Sequence, residues 1–162
     1  MNTQLTTAVL ALALVLILCT EATIVRKCSG NDDKQLSDEN VNFSNCRKGR
    51  CLLWKGTQLF VQINFEPDHD VKNLRSSIAG MIWGITFPFI GVDGTSACDK
   101  LYEEDGVTKT KCPLKAGHKY VYKHAVDVLH IYPSIDVDVH WALTEDNDKD
   151  LVCFEVPAEI TS

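Results

Sequence analysis

An even set of cysteines in the body of the chain constrains this sequence more than any other feature. One of the seven cysteines, Cys19, lies inside an apolar N-terminal run, and the other six are spread over the rest of the chain: Cys28, Cys46, Cys51, Cys98, Cys112 and Cys153. In an oxidising compartment such a set indicates three disulfides. The pairing stays open, although the short segment between Cys46 and Cys51 favours a bond between these two. No cysteines or histidines have the paired spacing of a zinc site, so we expect no metal.

The first 22 residues have the pattern of a secretory signal peptide. Ala8 to Leu18 is an unbroken run of 11 apolar residues, which suits a signal-peptide core and is too short to cross roughly 30 Å of hydrocarbon as a helix. Small residues at Thr20 and Ala22 suit cleavage after Ala22. No Lys or Arg precedes the run, so an uncleaved anchor is the alternative, but no stop-transfer pattern follows. We expect a signal peptide over residues 1–22, one domain over residues 23–162, and a secreted protein, with lysosomal delivery as a further destination.

Charge and motif content exclude several function classes. The chain carries 16 Lys and Arg against 22 Asp and Glu, a net charge of −6, and no basic stripe, which argues against a nucleic-acid partner. No nucleophile elbow or paired carboxylates can be assembled, so we expect no catalysis and no cofactor. The series Asp146, Asp148, Asp150 lacks the glycine and glutamate that a calcium loop needs.

The body of the chain has the pattern of β-strands. Leu59, Val61, Ile63 and Phe65 alternate with polar residues, with Phe60 as an exception, and the same alternation recurs from Ile135 to Leu143 and from Leu151 to Ile160. A less regular strand covers residues 120–128. No stretch has helical periodicity, so an antiparallel β-sandwich is expected. The cysteines lack the spacing around a core tryptophan that a true immunoglobulin domain has.

A second apolar region does not have the pattern of a regular strand. Gly80 to Gly91 is rich in Ile, Phe and Trp but is interrupted by three glycines and a proline. Either it forms an apolar loop that covers a ligand or a partner, or it is a buried crossover that fills the core. The corner Tyr132-Pro133-Ser134 is a second apolar loop.

Several short motifs agree in order and spacing with a known family. They are Cys46-x4-Cys51, Lys55-Gly56-Thr57, Gly80-x3-Gly84, Pro88-Phe89, the run Lys111-Cys112-Pro113-Leu114-Lys115-Ala116-Gly117, Tyr120-x-Tyr122, Tyr132-Pro133-Ser134, Trp141-x-Leu143 and Cys153-x-Glu155-x-Pro157. On these residues the chain resembles the ML lipid-recognition domain family, and within it the secreted Niemann–Pick type C cholesterol-transporter branch shared with arthropods. The resemblance covers residues 28–160.

The resemblance implies an all-β, immunoglobulin-like two-sheet antiparallel sandwich with an internal hydrophobic cavity and no catalysis. It also implies the disulfides Cys28–Cys153, Cys46–Cys51 and Cys98–Cys112. The implied ligand-binding residues form one set: Leu59, Val61, Ile78, Ile82, Ile85, Phe87, Phe89, Val126, Val128, Tyr132, Val137, Val139, Trp141 and Phe154. The segment between Cys98 and Cys112 has 13 residues, about twice as many as is common in the family.

The resemblance leads to a functional expectation with one rival. We expect a secreted, monomeric carrier that binds a sterol, a fatty acid or a semiochemical between its sheets and passes it on, with a membrane-bound lipid acceptor or receptor as partner. The rival is an innate-immune module that presents microbial lipid to a receptor; an adhesion sandwich without a cavity is a third alternative.

Two further features stand apart from the cavity. Asn42-Phe43-Ser44 is a glycosylation sequon in a chain expected to be secreted. His118, His124 and His130 recur at six-residue intervals, and we expect them at the surface, with acid-dependent ligand release as the less favoured alternative.

Overall fold

The computed structural model describes residues 24–28, 36, 39–47 and 49–162. The predicted signal peptide lies outside these residues. No helix in the described part of the chain is long and apolar enough to cross a membrane. In that part, strands and one short 3-10 helix, Cys98–Lys100, are the regular elements. The strands are β1 (Val41–Phe43), β2 (Cys46–Arg47), β3 (Arg50–Trp54), β4 (Gln58–Phe65), β5 (Arg75–Ile82), β6 (Ile85–Pro88), β7 (Leu101–Glu103), β8 (Lys109–Thr110), β9 (Tyr120–Asp127), β10 (Ile135–Thr144) and β11 (Asp150–Thr161).

The strands form the two sheets of a sandwich, which confirms the all-β prediction. One sheet has the order β1-β4-β9-β7-β8 and the other β2-β3-β11-β10-β5-β6. Every pair is antiparallel except β3 and β11, which run parallel. The six-stranded sheet is therefore mixed at this one pair. After β3 the chain crosses to the other sheet, so no hairpin sets the direction in which β11 joins it.

The alternation in the sequence puts one face of each long strand into the core. On β4 the side chains of Leu59, Val61, Ile63 and Phe65 are buried, whereas Phe60 is 55% exposed on the outer face. On β10 the buried side chains include Val137, Val139, Trp141 and Leu143. At about 25 cal/mol per Å² of buried apolar surface, these two inner faces supply much of the driving force for closing the sandwich.

The three disulfides connect the pairs that the resemblance implied. Cys28 bonds Cys153 on β11, Cys46 bonds Cys51, and Cys98 bonds Cys112. Cys46 and Cys51 face each other on the paired strands β2 and β3. The Cys28–Cys153 bond fixes the N-terminal segment to β11, an inner strand of the six-stranded sheet.

The long segment between Cys98 and Cys112 is a hairpin rather than a loop. Its strands β7 and β8 extend the five-stranded sheet beyond β9. At its tip the Asp105 carboxylate accepts hydrogen bonds from the backbone N–H groups of Val107 and Thr108 and from the Thr108 hydroxyl. These bonds lower the pKa of Asp105 below its ordinary value.

The apolar segment from Gly80 to Gly91 also forms a hairpin, and its exposed side chains show that the predicted buried crossover was wrong. Strands β5 and β6 pair across Ile82 and Ile85. Trp83 (φ 50°) and Gly84 (φ 79°) form the two-residue turn between them. Two positive φ values in succession are typical of the tight turns that match the twist of paired strands. All four residues of β6 are exposed at the edge of the sheet.

Candidate functional site

An apolar pocket lies at one end of the sandwich, between the β5–β6 hairpin and the turn that follows β9. Its volume is about 330 Å³, and we call it the mouth pocket. It is lined by Gly80, Ile82, Phe87, Pro88, Phe89, Ile90, Ile131, Tyr132, Pro133, Val137 and Ile160. The Tyr132 hydroxyl is the single polar side-chain group in this lining, so the pocket favours apolar ligands.

Phe89 and Tyr132 contact each other in the lining of the mouth pocket, and we call this contact its closure. Their rings meet edge to face, with centroids 5.3 Å apart. The Ile90 N–H donates a 2.9 Å hydrogen bond to the Tyr132 hydroxyl oxygen. Phe89 itself is held by its backbone N–H, which donates to the Ile78 carbonyl at 2.9 Å. The closure is therefore built from one aromatic contact and one exposed hydrogen bond.

Gly80 on β5 leaves room in the wall of the mouth pocket. A Cβ atom at this position would lie 2.8 Å from Cγ2 of Val137 and 3.7 Å from Cε2 of Phe89. Because the first distance is well inside van der Waals contact, any side chain at residue 80 would push into the pocket.

A second, much smaller hollow lies deeper between the sheets. Its volume is about 10 Å³, and we call it the inner cavity. It is lined by Phe43, Cys51, Leu53, Leu59, Val139, Trp141, Phe154, Val156 and Ala158. Trp141 and Phe154 stack with their planes 6° apart, and Phe43 meets both rings edge-on. The expected internal cavity is therefore filled by aromatic side chains, and of these two hollows the mouth pocket holds nearly all the volume.

The mouth pocket and the inner cavity are both lined by residues of β10 and β11. Val137 and Val139 project from the same face of β10, the first into the mouth pocket and the second toward the inner cavity. On β11, Ile160 and Ala158 are divided between the hollows in the same way. A ligand that is too long for the mouth pocket would therefore extend along β10 and β11 toward Trp141.

The Trp141 indole is buried, and its Nε1–H has no hydrogen-bond partner among the described residues. Leaving such a donor unpaired costs about 1–3 kcal/mol. Trp141 also lines the inner cavity, so a ligand oxygen placed beside the indole would give this N–H its hydrogen-bond partner.

Beside Trp141 and away from the mouth pocket, a chain of polar contacts connects the two sheets. The Ser76 hydroxyl on β5 lies 2.9 Å from the Tyr122 hydroxyl on β9, which lies 2.8 Å from Nδ1 of His124. Ser76 and Tyr122 are fully buried. Strand β5 runs from Ser76 toward the mouth pocket at Gly80, so the hydrogen-bond chain holds the sheets together away from the mouth pocket.

His124 is half-buried, so the expectation of three surface histidines was wrong for this residue. Burial is the main reason why its pKa falls from 6.5 to about 4, and the nearby Lys100 lowers it further, while Asp127 opposes the shift. Burial also raises the pKa of Tyr122. The imidazole is therefore neutral in the folded protein at neutral pH.

The fourteen predicted ligand-binding residues fall into four groups. Ile82, Phe87, Phe89, Tyr132 and Val137 line the mouth pocket, and Leu59, Val139, Trp141 and Phe154 line the inner cavity. Val61, Ile78, Val126 and Val128 are buried and line neither of these hollows. Ile85 is 58% exposed near the hairpin turn and also lines neither, because the mouth pocket ends at Phe87.

Sequence reasoning missed several lining residues. At the mouth these are Gly80, Pro88, Ile90, Ile131, Pro133 and Ile160; around the inner cavity they are Phe43, Cys51, Leu53, Val156 and Ala158. Ile160 and Val156 share the alternation of β11, which was the one signal that pointed to them. Phe43 and Leu53 lie on strands too short to predict.

Exposed large apolar side chains lie on or directly after the β5–β6 hairpin and in the turn before β10, and three of them, Phe87, Ile90 and Ile131, line the mouth pocket. We call the five side chains of this group the apolar rim: Trp83 (93% exposed), Ile131 (78%), Ile90 (60%), Ile85 (58%) and Phe87 (50%). Four of them lie on the β5–β6 hairpin or directly after it. Apolar side chains grouped in this way beside a pocket are typical of a surface that meets an apolar partner.

Comparisons with known proteins agree with this architecture. The sequence model of the ML domain matches residues 22–160. The chain is 36% identical over 110 residues to the ecdysteroid-regulated 16 kDa protein of Manduca sexta, covering 68% of this chain and 70% of that protein. It is 32% identical over 125 residues to the NPC intracellular cholesterol transporter 2 of Mus musculus, covering 76% and 77%.

A solved structure has the same fold. The Niemann-Pick type C2 protein from the Japanese carpenter ant superposes with a TM-score of 0.68 at 24% identity, covering 84% of this chain and 98% of the ant protein. The two-sheet architecture is therefore shared with a protein whose sequence has diverged widely from this one.

Proposed function

The chain belongs to the ML-domain family, and on that premise we propose that it is a secreted carrier that takes up a sterol or a similar apolar lipid at the mouth pocket and passes it on. As a member of this family it is a lipid-binding protein and not an enzyme. The mouse relative is named as a cholesterol transporter, which supports a sterol as one cargo; a fatty acid or a semiochemical fits the same apolar lining.

One observation carries the proposal: an apolar pocket of about 330 Å³ that opens to solvent beside the exposed side chains of the apolar rim. Each methylene that leaves water for such a pocket gains about 0.8 kcal/mol. The lining offers no pair of groups for acid–base or nucleophilic chemistry, so the pocket is suited to holding a molecule rather than changing it.

Uptake of a whole lipid needs more space than the closed structure leaves. We infer that the ligand displaces Phe89 and Tyr132 and then advances along β10 and β11 toward the inner cavity. The edge-to-face contact of these rings and the exposed Ile90–Tyr132 hydrogen bond are each worth about 1 kcal/mol. Displacing them costs less than burying a few methylenes gains.

Transfer also needs a surface that meets the donor or the acceptor. We propose that the apolar rim contacts a lipid bilayer, with Trp83 at the membrane–water interface, where tryptophan is favoured. The protein then acts as a monomer, and the signal-peptide pattern of residues 1–22 supports secretion.

The proposal is tested by native mass spectrometry of the full chain secreted from eukaryotic cells. A bound apolar molecule is expected, and its chemical class separates a sterol or fatty-acid carrier from the rival immune module, which would hold a microbial lipid. A protein that stays empty and also fails to bind added cholesterol or oleic acid contradicts the proposal.

Two neighbouring residues on β6 provide a matched pair of variants for the same experiment. Phe87→Asp places a charge in the mouth pocket, and Ile85→Asp places the same charge on the same edge strand outside it. Both side chains are at least half exposed, so both variants should fold. With cholesterol added from ethanol, so that uptake needs no bilayer contact, we expect loss of binding in Phe87→Asp and retention in Ile85→Asp. Equal retention in both would show that the ligand lies elsewhere.

A further inference from the structure

An exposed aromatic side chain on the outer face of the five-stranded sheet has no role in the proposed carrier. Phe60 is 55% exposed on β4, where its neighbours on the outer face are the polar residues Gln58 and Gln62. The mouth pocket lies on the other sheet's edge, so Phe60 does not belong to the apolar rim. A single exposed phenylalanine needs no explanation by itself, but this one lies beside a sequon.

The sequon Asn42-Phe43-Ser44 begins on β1, the edge strand next to β4, and ends in the turn that follows it. In this pair Asn42 faces Gln62, so Phe60 is its diagonal neighbour on the same outer face. Diagonal cross-strand positions are within reach of an aromatic side chain. Phe43, between Asn42 and Ser44, points inward and lines the inner cavity.

The Asn42 side chain is available for modification. It is exposed, and no hydrogen bond holds its amide within the part of the chain that the structure describes. It shares a groove of about 450 Å³ with Phe60, Ser44, Gln62 and Lys123. This groove combines one aromatic face with amide and hydroxyl groups, which is the mixture of apolar and polar contacts that a sugar residue uses; the Lys123 ammonium is turned away toward the Gly106 carbonyl, 2.8 Å distant.

We propose that Asn42 carries an N-linked glycan whose first sugar packs on the Phe60 ring in this groove. The pyranose C–H groups would lie over the electron-rich face of the ring, while the sugar hydroxyl and acetamide groups meet the Gln62 side chain. The inference rests on the proposed secretion, because N-glycosylation takes place in the secretory pathway.

Glycan transfer to Asn42 is a substitution at C1 of the sugar and needs no oxidant or reductant. The Asn42 Nδ2 forms a bond to C1 of the sugar of a lipid-diphosphate oligosaccharide, the C1–oxygen bond breaks, and the lipid diphosphate leaves with the electron pair. The amide gives up one proton to the solvent. In the folded protein the Ser44 hydroxyl accepts a 3.1 Å hydrogen bond from the Phe60 N–H, so the sequon is tied to the strand that bears the proposed platform.

The experiment uses the full chain with its leader, secreted from insect cells. Intact mass and peptide mapping are expected to find a glycan on Asn42 and none in Asn42→Gln. Asn42→Gln is preferred to Ser44→Ala, since the Ser44 hydroxyl also bonds Phe60. Secreted protein with a bare Asn42 overturns the inference and leaves secretion intact; a chain that never reaches the medium overturns secretion as well.

Stacking on Phe60 is tested by a double-mutant comparison of melting temperatures. Phe60→Ser should lower Tm by about 2–5 °C more in the glycosylated protein than in the Asn42→Gln background, and Phe60→Tyr, which keeps the ring, should preserve Tm in both. Ile85→Ser, an exposed apolar residue on the other sheet, serves as the control and should give equal shifts in both backgrounds. An equal effect of Phe60→Ser in the two backgrounds overturns the stacking.

Discussion

The contact between Phe89 and Tyr132 joins the end of β6 to the connection between β9 and β10 at the mouth pocket. Phe89 follows β6 of the six-stranded sheet, and Tyr132 follows β9 of the five-stranded sheet, yet their rings meet edge to face with centroids 5.3 Å apart. The hydrogen bond from the Ile90 N–H to the Tyr132 hydroxyl reinforces the contact at 2.9 Å. We call this pair of contacts the latch, because both must separate before the segment after β6 can move away from the β9–β10 connection.

Weakening the latch should speed ligand exchange. Tyr132→Phe removes the hydrogen bond to Ile90 and keeps the ring contact with Phe89. Because Ile90 is exposed, its N–H then bonds to water, and the net loss is about 0.5–1.5 kcal/mol. We expect association and dissociation of a fluorescent sterol to become about two- to tenfold faster in stopped-flow measurements, with little change in Kd.

The matched control for this prediction is Tyr102→Phe. Tyr102 is a half-buried tyrosine on β7, where its ring contacts the Lys123 ammonium rather than the latch. Exchange rates should stay unchanged in this variant. Unaltered rates in Tyr132→Phe would mean that the latch does not limit entry.

Ligand affinity should be sensitive to the addition of a single methyl group at Gly80. In Gly80→Ala the new methyl group would lie 2.8 Å from Cγ2 of Val137, so it must displace Val137 into the mouth pocket. Overpacking of this kind costs about 1–3 kcal/mol, and we expect affinity for an apolar ligand to fall about tenfold in a fluorescence titration. The double variant Gly80→Ala/Val137→Ala removes the opposing methyl groups and should recover most of the affinity. Undiminished affinity in the single variant would place the ligand away from this wall.

The long strands could be predicted from the sequence because their alternation has a period of two. Strands β4, β10 and β11 each bury one face, and that face is readable in the sequence. The short strands could not be predicted: β2 and β8 have two residues each, and β1 and β7 have three. Alternation over two or three residues carries no signal. Likewise, no local feature of β3 encodes its parallel partner.

The candidate site was predictable in type but not in position. Alternation and family resemblance identify Val137, Val139 and Trp141 as inward-facing, but they do not reveal which of these face open volume. That depends on how tightly the aromatic rings of the two sheets pack. Ile85 and Phe87 have the same parity on β6, and only the position of the turn at Trp83 places Ile85 beyond the pocket.

The exposed tryptophan of the hairpin turn should matter for transfer but not for binding. Trp83 is 93% exposed and does not line the mouth pocket. If the apolar rim contacts a bilayer, Trp83→Ser loses about 1.5–3 kcal/mol of apolar burial there. We expect transfer of a fluorescent sterol to phosphatidylcholine vesicles to slow about tenfold while Kd stays constant.

Val107→Ser is the control for the Trp83 experiment. Val107 is 79% exposed at the tip of the β7–β8 hairpin on the other sheet, so the same apolar-to-hydroxyl change there should leave the transfer rate unchanged. Equal slowing in both variants would point to a general effect of surface hydrophobicity and would contradict a bilayer contact at the rim.

His124 should make the protein less stable in mild acid. Its pKa is about 4 in the folded protein and near 6.5 in the unfolded chain. As the pH falls from 6.5 toward 4, the unfolded chain takes up a proton that the folded protein does not bind, so the free energy of unfolding decreases. Allowing for solvent screening at a half-buried ring, we expect a loss of about 1–2 kcal/mol across this window.

The measurement that isolates His124 is urea unfolding of wild type and His124→Gln at pH 7 and pH 4.5. Glutamine cannot titrate, and its side chain still offers a hydrogen-bond partner to the Tyr122 hydroxyl, which lies 2.8 Å from the imidazole nitrogen in the wild type. Other groups titrate equally in both proteins, so the difference between their pH-dependent losses belongs to residue 124. Wild type should lose about 1–2 kcal/mol more than the variant. Identical losses would mean that the imidazole takes up its proton in the folded protein as readily as in the unfolded chain.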